Sequence, residues 1–172
     1  MIVLCDASPL IFLAKLNRLH LIPQLLGPDV VVLQCVVNEV LGTAQVQHPE
    51  QQRLAAWLQS VRVVESIDSD YEAGRLSASD RQTLTYAVRQ RAAWLVADER
   101  LMRRIAVAEG VATIGTLGLL AGAARRGLIT RQQALEDLAT LVSKHRLRIS
   151  VLLYQRFLAE FQPRDDHRGD CP

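Results

Sequence analysis

The chain has 172 residues and a mass of 19.2 kDa, enough for one domain and too little for two ordinary ones. Hydrophobic residues make up 49% and charged residues 22%, which excludes a disordered chain. A net charge of +2 excludes a strongly basic nucleic-acid coat or an acidic tail protein, and leaves room for a local basic patch. Aromatics are only 5%, so the core must be aliphatic. Eighteen of the twenty basic residues are Arg, and composition alone favours coding bias over phosphate binding as the reason. Cys5, Cys35 and Cys171 form neither a CxxC pair nor an even framework, which points to a reducing compartment. The histidines, at positions 20, 48, 145 and 167, lack zinc-ligand spacing. The N-terminus lacks the basic stretch of a signal peptide, and no apolar run is long enough to span a bilayer. A soluble cytoplasmic protein without membrane contact is expected.

In chain order, residues 2–5 form a short buried strand that Asp6 stops. Ser8 as N-cap, with Pro9 at the first helical position, predicts a helix to residue 19 with Leu10, Leu13 and Leu16 on its apolar side. After Gly27-Pro28, residues 30–33 read as a second strand, followed by a short helix around 36–41 that Gly42 ends. Pro49 starts a helix to residue 60, and 61–64 is a third strand. A polar stretch over 68–79 precedes a helix over 80–91. Then come a strand at 94–97, a helix at 99–109 and a strand at 111–114. Helices over 116–126 and 131–143 and an amphipathic segment over 149–161 complete a single domain of residues 1–161. Residues 162–172 read as a frayed tail. Apolar strands alternating with helices predict a three-layer α/β/α domain around a parallel sheet. The helix over 116–126 has no polar face before Arg125, so the core or a second copy must bury it; a homodimer is expected on that ground.

Ligands of such sheets bind at the carboxyl ends of the strands, and acids collect there. Asp6 ends the first strand and Asp98 the fourth; Glu39 lies in the helix after the second strand, and Asp80 opens the helix before the fourth. Four carboxylates at close range raise one another's pKa unless a counter-charge is present. Hard oxygen ligands suit Mg²⁺ or Mn²⁺, which activates water and stabilises the leaving oxygen of a phosphodiester. Each acid also has a structural reading. Asp6 starts a turn before Pro9, Asp98 is a plausible N-cap, and Glu39 fits a solvated face. Asp80 suits a first helical turn, with Ser77-x-x-Asp80 and Ser79-x-x-Gln82 both resembling capping boxes. Glu99 and Arg103 have the spacing of a surface pair. Arg100, Arg103 and Arg104 share one helix that starts at the acidic edge, placed either to hold RNA phosphates or to form an ion-paired face. No phosphate loop and no GxSxG elbow occurs, so Ser8 reads as a cap rather than a nucleophile.

The motifs Leu-Cys-Asp6-Ala-Ser-Pro-Leu-Ile, Val-Asn-Glu39-Val, Ser-Asp80-Arg-Gln-Thr-Leu-Thr-Tyr-Ala and Leu-Val-Ala-Asp98-Glu-Arg-Leu occur in that order. Together they resemble the PIN-domain family, in a prokaryotic branch related to VapC ribonuclease toxins. Ile114-Gly-Thr-Leu-Gly118, Ala-Arg-Arg-Gly-Leu-Ile129 and Leu-Arg-Ile-Ser150 resemble the later part of that branch. The resemblance implies a five-stranded parallel sheet of order 3-2-1-4-5 and ribonuclease activity on single-stranded RNA that depends on Mg²⁺ or Mn²⁺. It carries the catalytic acids onto Asp6, Glu39, Asp80 and Asp98, with Asp6, Asp98 and Asp80 holding the metal and Glu39 orienting water. Ser79-Asp80 stands where the branch often has Gly-Glu, and Asp98-Glu99 where it often has two aspartates; neither change removes a carboxylate.

The leading expectation is thus an endoribonuclease, the toxin half of a toxin–antitoxin pair, with RNA and a small antitoxin protein as partners. Ser8 and Glu99 are auxiliary candidates, and Arg100 and Arg104 are candidates for flanking phosphates. The alternative is a non-catalytic RNA-binding or protein-interaction module on the same fold. An aspartyl phosphotransferase fits poorly, because Ser8 stands where a second acid would be needed.

Overall fold

The computed structural model of the protein describes residues 1–42, 48–72, 74–145, 147 and 149–161. The expected tail over 162–172 lies outside the described residues. Five short strands, β1 (Val3–Cys5), β2 (Val30–Leu33), β3 (Arg62–Val64), β4 (Trp94–Val96) and β5 (Ala112–Ile114), form one sheet in the order 3-2-1-4-5. Every pairing is parallel. The expected α/β/α class and strand order are therefore those observed. β1 sits at the centre, hydrogen-bonded to β2 on one side and β4 on the other, with Val3, Leu4 and Cys5 fully buried. A strand covered on both faces is apolar without alternation, which is why these residues read as a continuous run.

Helices α1 (Ala7–Lys15), α2 (Leu21–Leu26), α3 (Gln34–Leu41), α4 (Pro49–Leu58), α5 (Ala78–Arg89), α6 (Arg100–Ala108), α7 (Thr116–Arg125), α8 (Arg131–Ser143) and α9 (Val151–Phe161) pack around the sheet. Three of the boundaries that differ from the sequence expectation have an evident local cause. The first helix begins one residue after Asp6, so Ser8 and Pro9 lie inside its first turn and Ser8 is not the cap. It also stops at Lys15: Asn17 adopts a left-handed conformation (φ 58°), and a separate helix, α2, follows. Asn tolerates that conformation, and the Leu13, Leu16, Leu19 spacing that continues across the break hid it from a periodicity argument. In α5 the capping box uses Ser77 rather than Ser79, so the helix starts at Ala78, two residues earlier than expected.

α7 is apolar nearly all round because its own chain surrounds it. Leu119, Leu120 and Ala123 are fully buried, and the helix packs on α1, α2 and α8. Its composition therefore gives no argument for a second copy, and the expected homodimer draws no support from this helix. Nearby, Arg18 Nε donates to Asp137 Oδ2 at 2.9 Å, tying the turn after α1 to α8 through a mostly buried pair. Among the described residues, no helix is long and apolar enough to cross a membrane.

Replacing Leu120 with Ala should cost about 2–5 kcal/mol, because the residue is enclosed on every side. Urea unfolding at two protein concentrations checks this. A cost below about 1 kcal/mol, or one that depends on concentration, would contradict burial of α7 within one chain.

Candidate active site

The register of the sheet fixes where the acids stand. Cys5 is aligned with Val96, so Asp6 leaves the end of β1 beside the end of β4, and the Asp6 amide donates to the Val96 carbonyl at 2.9 Å. Asp98 comes two residues after β4, at the same carboxyl edge. Asp6 is the N-cap residue of α1 by backbone conformation, yet its side chain makes no capping hydrogen bond. Its Oδ1 is buried and has no hydrogen-bond partner, on a residue only 2% exposed. The turn-starter reading of Asp6 therefore fails to explain its carboxylate.

Electrostatics brings the four acids together. Burial, foremost, and then the charge of Asp80 push the Asp6 carboxyl up to about 7. The Ala7 amide opposes this, while Glu39 and Asp98 add to the rise. All three of the other expected acids thus act on Asp6. Two have structural roles as well. Asp80 Oδ2 accepts from the Ser77 amide and the Asp80 amide donates to Ser77 Oγ, each at 3.0 Å, which completes the capping box. Asp98 Oδ1 accepts from the Thr116 amide at 2.8 Å, and Oδ2 accepts from the Thr116 hydroxyl at 2.6 Å. Burial raises the Asp98 carboxyl, against the pull of those two bonds and of the Arg103 charge. Glu39 is exposed on α3.

Several sequence expectations need correction here. Asp98 is not the cap of α6; Glu99 is, accepting from the Leu101 amide at 3.0 Å. Glu99 forms no ion pair with Arg103 among the described residues, and Arg103 acts on Asp98 instead. Nor do Arg100 and Arg104 pair with any described acid, so the ion-paired-face reading of this helix does not hold there. Ser8 is half-buried in the first turn of α1. Two residues escaped the sequence reading: Thr116, which orients Asp98, and Gly115, where an added Cβ would stand 2.7 Å from Asp98 Oδ1. The available signal was a Gly-Thr step directly after β5, the strand beside Asp98's own.

The donor set decides which cation the edge suits. All the donors are carboxylate oxygens, and the Cys5 thiol beside them is buried and held protonated by that burial and by the charge of Asp6. Among the described residues, no three His, Cys, Asp or Glu side chains are close enough to grip one ion directly. A soft metal is thus excluded on ligand chemistry, whereas a hard cation that keeps its waters and takes one or two carboxylates fits, the mode of Mg²⁺. The orphaned, buried Asp6 oxygen is the site's unmet demand for such a charge.

Acids gathered at the carboxyl edge of a parallel sheet stand where such sheets bind ligands, and comparison with known proteins narrows the class. A family model described as the PIN domain matches residues 2–163, and the chain belongs to that family. PIN domains are generally nucleases, and they commonly use divalent metal ions. The chain is also similar to a PilT N-terminus domain protein from the hyperthermophilic archaeon Sulfolobus solfataricus P2, at 17% identity and a TM-score of 0.47, covering 70% of this chain and 92% of that one. Among curated proteins none matches significantly.

The geometry has two measurable consequences. The folded Asp6 carboxyl titrates at about 7, against about 4 in an unfolded chain. Between those values the folded protein holds a proton that the unfolded chain has lost, so the metal-free protein loses stability as pH rises through that window. Asp6→Asn should therefore melt higher than wild type at pH 8, with the difference closing towards pH 4. An equal gap at both pH values would mean that Asp6 carries no such penalty. Gly115→Ala should displace Asp98, costing about 1–3 kcal/mol in urea unfolding as an overpacked site. A fully stable Gly115→Ala variant would mean that the approach to Asp98 is not close.

Proposed function

We propose that this chain is a Mg²⁺- or Mn²⁺-dependent endoribonuclease acting on single-stranded RNA, with Asp6, Glu39, Asp80 and Asp98 as its working acids. The observation that carries the reading is the Asp6 carboxylate, which has one buried oxygen without a hydrogen-bond partner and is raised by its burial and by the charges of the other three acids. Natural sequences seldom bury a carboxyl in that state without a functional reason. A bound divalent cation would supply the missing positive charge, lower the pKa of water and offset charge on the phosphate oxygens.

Within that reading the residues divide the work by position. Asp6 and Asp98, from neighbouring strand ends, would hold the cation. Asp80 would complete its shell through water, since among the described residues no three such side chains are close enough to grip one ion directly. Thr116 fixes the Asp98 carboxylate with two hydrogen bonds, so that ligand arrives oriented. Glu39, on the exposed side, orients the attacking water and accepts its proton. Arg100 and Arg104, without partners among the described acids, take phosphates flanking the cut. Glu99 is left out of the chemistry, because its carboxylate caps α6. Ser8 remains auxiliary, in the first turn of α1 behind Asp6. The likeness to VapC-related sequences supports RNA as the substrate. It also supports a cytoplasmic toxin role, with a small antitoxin protein as partner.

Asp6→Asn and Asp98→Asn should each abolish cleavage of single-stranded RNA at fixed Mn²⁺ while circular dichroism stays native. Glu99→Gln should keep most of the activity. Full activity in Asp6→Asn would refute the reading, and RNA binding without metal-dependent cleavage in wild type would identify a binding module instead. In a salt series, replacing Arg100 and Arg104 together with Gln should reduce the slope of log K against log salt by about 1.4, two contacts on a single strand. An unchanged slope would remove both arginines from the RNA path.

A further inference from the structure

Behind Asp98 lies a cleft that the acidic chemistry leaves unused. It has a volume of about 490 Å³ and is bounded by α6, β5, the start of α7 and the approach to α9. That is within the roughly 300–1,000 Å³ of clefts that hold small ligands. Ile114, Leu117, Ile149 and Leu153 give it aliphatic surface, while Arg100 and Arg103 give it positive charge. Neither arginine forms an ion pair with a described residue, and the Arg103 Nε is buried without a hydrogen-bond partner. Gly118 sets the position of one wall: a Cβ there would stand 2.8 Å from Ile114 Cγ1 and force that side chain to move. Glycine inside a helix costs about 1 kcal/mol relative to Ala, so its place in α7 is offset by this close packing.

The cleft also continues the acidic site. Asp98 lines it directly. Arg100 and Arg103 border a second groove with Arg104, and Arg75 joins Arg100 and Arg104 at a third, where Glu99, engaged as the cap of α6, is the one acid lining it. A basic track along α6 thus ends in a partly apolar recess beside the acids.

We infer that this recess is a nucleobase subsite, taking one unstacked base of the single-stranded RNA whose phosphate is held beside Asp6 and Asp98; the inference rests on the nuclease reading of those acids. Bases of single strands splay out and lay their faces on apolar and guanidinium surfaces, while their edges and phosphates accept hydrogen bonds. The recess offers both kinds of surface. An apolar side chain from a protein partner would satisfy the aliphatic wall and leave Arg100 and Arg103 desolvated without an acceptor, which disfavours it.

The test uses an RNA that the wild-type protein cuts at one position, remade with a single abasic nucleotide at each site flanking the cut. Binding is measured by fluorescence anisotropy without divalent ions, and cleavage with Mn²⁺. One abasic position should weaken wild-type binding about tenfold. Leu153→Trp fills the recess from an exposed position in the first turn of α9. In that variant the intact RNA should bind as weakly as the abasic one, and the position dependence should vanish. A flat profile in wild type, or an unchanged profile in Leu153→Trp, overturns the subsite while continued cleavage leaves the nuclease reading intact. A flat profile together with impaired binding of a protein partner by Leu153→Trp would assign the recess to that partner and also overturn the proposal. Absence of metal-dependent RNA cleavage overturns the nuclease reading and the subsite with it.

Discussion

A single carboxylate at the end of the central strand organises this molecule. β1 is paired on both edges and buried on both faces, so the residue after Cys5 is held in place by the most constrained part of the sheet. That residue is Asp6, whose amide is tied to β4 and whose buried carboxylate oxygen is tied to nothing. Burial and three neighbouring acids act against its ionisation, and the fold retains it nonetheless. The core that holds β1 rigid thereby keeps this unsatisfied carboxylate at the carboxyl edge of the sheet.

The second acid is handled in the opposite way. Asp98 is pinned by the Thr116 amide and hydroxyl, and Gly115 gives it room by having no side chain. One carboxylate thus keeps an oxygen without a hydrogen-bond partner, and its neighbour is fully oriented. This asymmetry suits a hard cation: the free oxygen gains most from binding it, and the oriented one fixes where it sits. The capping box serves Asp80 similarly, since the Ser77 amide engages one carboxylate oxygen and leaves the other uncommitted by that bond.

Much of this was legible in the sequence for a simple reason. Fully buried parallel strands are short apolar runs, and the first polar residue after each marks the carboxyl edge. Asp6 and Asp98 stand out on that rule alone. The features that escaped were decided by contacts between segments distant in sequence. Thr116 reads as an ordinary helix start until the sheet order places it against Asp98. The cap of α6 falls to Glu99 rather than Asp98 because Thr116 has already engaged the aspartate. The break at Asn17 was hidden by a leucine spacing that runs through two helices. The apolar girth of α7 was read correctly as burial, but sequence could not say that the covering surface belongs to the same chain.

Burial and the neighbouring acids push the Asp6 carboxyl up to about 7, so a cation bound there would have to displace its proton below neutral pH. Calorimetric titration of the metal-free protein with Mg²⁺ tests this most directly, run at pH 6 and pH 8 in pairs of buffers with different ionisation heats. Since the Asp6 carboxyl lies at about 7, cation binding at pH 6 should release close to one proton, and at pH 8 close to none. Asp6→Asn should abolish the proton release at pH 6. Mg²⁺ binding without proton release at pH 6, or the same release from Asp6→Asn, would contradict a cation site built on this carboxylate.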